Sequence, residues 1–264
     1  MMVSESRASR RILAIGGGGF LMEDQPSPID RYLVQLIDRE RPRICVIGTP
    51  SGDPPEMIDK FYAAFEPLGC ICSHLAFFRK PSPGSLPLAN FAEPLLAHDA
   101  IFVGGGNTRS ALAVWREWGL DAALQEAWLR GVLLSGMSAG ALCWFERGLT
   151  DSCWGAGLQM LDGLGFLSGG CCVHYRGEPE RRPRLHEEIT TGAATATIAI
   201  DDGAAVLYSG TDIADVVHWK PGATAYRVRN EDGAVVEHAL PARSLEAINR
   251  SALGAPTPRP RSRP

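Results

Sequence analysis

The chain has 264 residues, 45% of them hydrophobic and 21% charged, and its 26 Lys+Arg against 30 Asp+Glu leave a formal net charge of -4. That length allows one large domain or two small ones with an adequate core, without disulfides or structural metals. The weak acidity excludes a basic nucleic-acid binder and a polybasic membrane-surface module.

Residues 1–9 are polar and predicted to be a flexible N-terminus. The apolar run that follows, Ile12 to Ile15, reads as a first buried strand. It is too short for a signal-peptide core or a membrane span, which predicts a cytoplasmic protein with no membrane partner. Ile29, Leu33, Leu36 and Ile37 have helical spacing, Ile44 to Ile47 read as a second strand, and Pro54 and Pro55 suit the first turn of a helix through Met57, Phe61 and Phe65. A third apolar run extends from Ile71 to Phe78 and a fourth from Ile101 to Val103. Asn107 or Thr108 caps a helix through Leu112 and Trp115, and Asp121 one through Leu124 and Trp128 that stops at Gly131. A fifth strand lies at Val132 to Leu134. Short runs apolar on both faces, alternating with amphipathic helices, predict an α/β fold with a doubly wound, mostly parallel sheet.

Beyond residue 197 the texture changes to strands and tight turns, with 230–233 as a hairpin turn, read as the C-terminal part of one domain over 10–250. The Pro- and Arg-rich segment 251–264 cannot build a core and is predicted to be a disordered tail. The seven cysteines have neither a disulfide framework nor zinc-ligand spacing and read as reduced small hydrophobes, so no metal is implied.

Gly16 to Gly19 follow the first strand, but Leu21 and Met22 stand where a dinucleotide fingerprint needs its third glycine. These glycines are read as a tight turn beside a cleft. Gly136-Met137-Ser138-Ala139-Gly140, between the fifth strand and a helix starting in Ala141 to Phe145, matches a nucleophile elbow with Ser138 as nucleophile. A serine needs a base oriented by a carboxylate. Of six histidines, His174 stands at a strand's end and a polar loop's start, where an open α/β sheet places functional groups, whereas His186 looks like a helix-surface residue. Asp151 is the candidate carboxylate, with Glu146, Asp162 and Glu178 as alternatives. The Ala139 amide and the Gly104-Gly105-Gly106-Asn107 segment can hold an oxyanion. The competing reading is an anion cradle at a helix N-terminus.

Three segments in order, Val103-Gly104-Gly105-Gly106-Asn107-Thr108, Gly136-Met137-Ser138-Ala139-Gly140-Ala141 and Val173-His174-Tyr175, resemble the peptidase E family of aspartyl dipeptidases, with cyanophycinases as more distant relatives. The resemblance implies a fold like class I glutamine amidotransferases, a flavodoxin-like three-layer sandwich. It implies Ser138 as nucleophile, His174 as base, Asp151 as third member, and Gly105 and Ala139 as the oxyanion hole. The loop after His174 is compact here, with Glu180 or Arg181 near the family's arginine for an acidic side chain. Asn107, Arg176 and Arg181 are candidate substrate contacts. The reading is a cofactor-free serine exopeptidase or dipeptidase acting on short peptides as monomer or homodimer. The alternatives are an esterase or amidase using the same residues, or a silent anion- or nucleotide-binding module.

Overall fold

Strand β1 (Arg11–Ile15) sends Ile12 and Ala14 into one apolar cluster and Leu13 and Ile15 into another. This is the two-residue period of an extended chain buried on both faces. The same division recurs in β2 (Arg43–Ile47), which follows α1 (Pro28–Gln35), where Cys45 and Ile47 oppose Ile44 and Val46. In the computed structural model, which describes residues 10–24, 26–153 and 155–246, the first half of the chain continues with α2 (Pro55–Phe65), β3 (Ile71–Leu75), α3 (Ala92–Leu96) and β4 (Ala100–Val103). Next come α4 (Thr108–Trp118), α5 (Leu120–Leu129), β5 (Leu133–Met137) and α6 (Ala139–Leu142). The expected segments at 1–9 and 251–264 lie outside the described residues.

Ten further strands and helices follow among the described residues: β6 (Phe145–Thr150), β7 (Gln159–Asp162), β8 (Leu167–Cys172), α7 (Arg181–Thr190), β9 (Thr197–Ile200), β10 (Ala204–Ser209), β11 (Asp212–His218), β12 (Ala225–Glu231), β13 (Ala234–Ala239) and β14 (Arg243–Ser244). The main sheet has the order β14-β11-β10-β1-β5-β4-β2-β3. Its five strands from β1 to β3 are mutually parallel, and β10 joins β1 antiparallel. The α/β expectation therefore holds. Helices α1 and α2 cover one face through Ile29, Leu33, Phe61 and Phe65, while α4, α5 and α6 pack on the other with Leu112, Trp115 and Leu124.

The late strands divide between two sheets: β10, β11 and β14 complete the main one, whereas β9, β12 and β13 combine with β6, β7 and β8 in a second, six-stranded sheet, ordered β13-β12-β9-β8-β6-β7. Its Phe145, Leu167, Cys171 and Ile198 share a core with the main sheet. The helix expected to start in Ala141 to Phe145 is only the last part of four-residue α6, because the Cys143 and Trp144 carbonyls accept from the Leu164 and Leu167 amides and turn the chain into β6. The third strand stops at Leu75 rather than Phe78, because the Phe77 and Phe78 amides donate to the Asp53 carboxylate at 2.6 and 3.0 Å. The hairpin at 230–233 forms as read, with Asp232 and Gly233 both at positive φ between β12 and β13.

Candidate active site

Strand β5 ends at Met137, and the next residue, Ser138, adopts φ 57°, ψ -114° before α6 begins. A non-glycine residue in this region is strained and persists only where its surroundings enforce it. Two glycines permit it. A Cβ on Gly140 would stand 2.1 Å from the Val103 carbonyl oxygen, and one on Gly136 would stand 2.3 Å from the Gly140 oxygen. The Ser138 amide donates to the Ile15 carbonyl at 3.2 Å, locking the turn against the end of β1.

From the other sheet, Val173 carries the chain out of β8 to His174, which is also at positive φ (53°). The His174 Nε2 lies 2.9 Å from Ser138 Oγ. Its Nδ1 lies 2.6 Å from a carboxylate oxygen of Asp202, in the short turn between β9 and β10. Asp151, the expected third member, does not meet His174. Its side chain is 73% exposed and stands 3.8 Å from the Arg181 guanidinium. The hydrogen bond from His174 holds the Asp202 carboxyl below its ordinary value of 3.8, against the opposing effect of burial, with Lys220 and Arg181 adding to the lowering.

The glycines after β1 now have a physical reason. Gly17 bridges Asp202 and accepts from the Gly203 amide at 2.8 Å, and a Cβ there would fall 2.0 Å from the Asp202 carboxylate and 2.9 Å from His174 Cε1. On the far side, a Cβ on Gly177 would stand 2.2 Å from the other Asp202 oxygen. Asp202 thus occupies a slot that only two glycines leave open. Gly17→Ala is expected to push Asp202 and His174 apart and lower kcat by at least about 10²-fold, the scale of a one-ångström misplacement. Circular dichroism would remain native, and a variant with parental turnover would contradict this.

The expected oxyanion donors are at the same place. A Cβ on Gly105 would lie 3.3 Å from Ser138 Cβ, and neither the Gly105 nor the Ala139 amide donates to another described residue. The candidate substrate contacts divide. Asn107 borders the cleft beside Ser138 and His174, and its side-chain oxygen caps α4 by accepting from the Ser110 amide at 2.9 Å while its Nδ2 donates to the Ser152 carbonyl at 3.0 Å. Arg176 is held by Asp201 through Nε at 2.9 and 3.0 Å and lies 5.2 Å over the Tyr226 ring. Arg181 borders the same cleft, with its side chain only 4% exposed, and donates to the Leu149 carbonyl at 2.9 Å and to Glu178 at 2.7 Å.

His186 is not a free surface residue, because Glu237 binds it at 2.6 Å and also accepts from the buried Tyr175 hydroxyl at 2.7 Å, beside His174. All seven cysteines are free, and burial pushes Cys45 and Cys172 up to about 12, far from a reactive thiolate. Among the described residues, no group of three His, Cys, Asp or Glu side chains is placed to hold a metal, and no helix is long and apolar enough to cross a membrane.

An elbow serine hydrogen-bonded to a histidine that is itself hydrogen-bonded to a carboxylate is an arrangement for nucleophilic acyl transfer. The sequence model of peptidase family S51 matches residues 12–216. The chain belongs to peptidase family S51. It is accordingly a serine-type peptidase, in agreement with the likeness to peptidase E carried by its three motifs. This S51 peptidase is 45% identical over 237 residues to the uncharacterized peptidase YgaJ of Bacillus subtilis (strain 168), an alignment covering 89% of this chain and 99% of that one. Two solved structures share its fold. A peptidase from an acI-B1 Actinobacterium has a TM-score of 0.65 at 17% identity, covering 91% of this chain and 98% of that one. A putative peptidase E protein from Listeria monocytogenes EGD-e has a TM-score of 0.57 at 18% identity, covering 81% and 100%.

Proposed function

We propose that this S51 peptidase is an exopeptidase of the dipeptidase type, hydrolysing short peptides through an acyl-enzyme with Ser138, His174 and Asp202 as its triad. The observation that carries the reading is the continuous hydrogen-bond chain from Ser138 Oγ through both His174 nitrogens to Asp202. Asp202 accepts from Nδ1–H and so leaves the Nε2 lone pair facing the serine. Ser138 Oγ attacks the peptide carbonyl carbon while Nε2 takes its proton. The developing oxyanion is met by the amides of Gly105 and Ala139. The C–N bond breaks as His174 returns the proton to the leaving amine, and water then repeats the sequence on the ester. Every proton and electron pair belongs to the chain, the peptide or water.

A preference for short peptides is supported by the polar end of the cleft, a cavity of about 430 Å³ bordered by Asp151, Glu178 and Arg181 beside Ser138 and His174. Charged side chains of both signs bordering the cleft there can pair with a charged peptide terminus. The test is a fluorophosphonate probe read by mass spectrometry, with pre-steady-state hydrolysis of a dipeptide p-nitroanilide. We expect one adduct, on Ser138 and absent in Ser138→Ala, and a burst of one equivalent if deacylation is slow. Labelling that survives intact in His174→Ala would refute the mechanism.

A further inference from the structure

The nucleophile stands between two cavities of opposite character. One is the polar end already described. The other, of about 440 Å³, opens on the far side of Ser138 and His174 and is walled by Leu21, Pro54, Met57 and Met137, with Met22 at its rim. Met57 and Met137 are buried. The methyl of Met57 lies 2.5 Å from where a Cβ on Gly104 would be, and that of Met137 lies 3.4 Å from the corresponding point on Gly105. The apolar wall is therefore continuous with the backbone that offers the Gly105 amide.

This wall is anchored. Glu23, just beyond Met22, accepts from Trp219 Nε1 at 2.9 Å and pairs with Lys220 at 3.2 Å, and Asp30 accepts from the Phe20 amide at 3.2 Å. The charged groups bordering the cavity are Glu56 and Lys60, one of each sign, both exposed on α2, with the lysine ammonium 3.5 Å from the Leu21 carbonyl. These two stand at the solvent-exposed border, the inner wall is formed by Met57 and Met137, and the buried Arg181 borders the other cavity.

We propose that this cavity receives the side chain on the acyl side of the scissile bond and selects a large apolar residue of leucine, methionine or phenylalanine size. In a peptide whose carbonyl oxygen is held by the Gly105 amide, the α-carbon is bonded to that carbonyl carbon and so lies on the side of the wall that bears Met57 and Met137, while the leaving nitrogen must face His174. A carboxylate placed against the buried Met57 and Met137 wall would give up hydration to apolar groups. Flexible, polarizable thioethers adapt to several apolar shapes, so the pocket discriminates by size and polarity more than by outline. This inference rests on the serine-peptidase mechanism proposed above.

The experiment measures kcat/KM of the full chain on two dipeptide series, X-Ala and Ala-X, with X being Leu, Met, Phe, Ala or Asp. Fluorophosphonate labelling of Ser138 is followed in parallel. Leu, Met and Phe are expected to exceed Ala by about 10- to 200-fold in the X-Ala series, the range an apolar pocket supplies, with Asp below Ala. Met57→Lys, which puts an ammonium into the pocket, is expected to raise Asp-Ala relative to Leu-Ala by at least tenfold. Met22→Lys, at an exposed rim position that tolerates charge, is expected to shift the ratio the same way should Met57→Lys fail to fold. A flat ranking, a preference for Asp, or a preference confined to Ala-X, each with labelling intact, overturns the pocket assignment and leaves the peptidase mechanism standing. Absence of both labelling and turnover removes both.

Discussion

Ser138→Ala and His174→Ala are each expected to lower kcat on a cleaved dipeptide by about 10⁶-fold, and the double variant by no more than either single one. The non-additivity follows from the geometry. In the proposed mechanism the serine hydroxyl gains its nucleophilicity from the His174 Nε2, 2.9 Å away, so removing either partner abolishes the same event, and what survives is the contribution of substrate binding and the oxyanion donors. Steady-state turnover of the three variants decides it, with thermal melts to exclude unfolding. Additive losses, or a His174→Ala variant within about tenfold of the parent, would mean that the two side chains do not act as one unit.

Asp202→Asn is expected to lower kcat by about 10⁴-fold, whereas Asp151→Asn leaves it within about threefold. An asparagine in the slot between Gly17 and Gly177 keeps the shape but loses the charge, and its amide can present a donor to Nδ1, favouring the wrong imidazole tautomer. Asp151, largely exposed beside Arg181, has no such hold on His174. The reverse ranking of the two variants would reinstate Asp151.

The same substitution carries a pH signature. The folded-state pKa of Asp202 is depressed below its ordinary value of 3.8. Its contribution to stability is therefore fully present above that value and is lost as pH falls through the folded-state pKa. The melting temperature gap between the parent and Asp202→Asn should be widest near neutral pH and narrow below about pH 4. A gap that widens on acidification would contradict the assignment of the hydrogen bond to the ionised carboxylate.

Asp202 was also the residue that local pattern could not supply. Ser138 announces itself through Gly136 and Gly140, whose missing side chains are a local requirement of the turn. His174 is legible because it ends an apolar run. Asp202 follows His174 by 28 positions and lies in Asp201-Asp202-Gly203, which reads as an ordinary acidic turn. Two signals were nevertheless available in Gly17 and Gly177, each of which is explained by the carboxylate it accommodates. Asp201, the neighbour, explains where Arg176 is held: a nearly buried carboxylate in the same turn takes its guanidinium.

Periodicity and punctuation in the sequence determined the parallel β-strands, the helices that cover them, the elbow at Ser138 and the histidine at a strand's end, because each depends on residues within a few positions of one another. Tertiary structure alone decided that the late strands divide between two sheets, that the turn from β9 to β10 crosses from one to the other, and that Ser138 from the main sheet and His174 from the second converge on the carboxylate at that crossing. The reason is that β-pairing and side-chain packing act between segments remote in the chain, and which of several similar acidic turns meets the histidine depends on the register of both sheets at once.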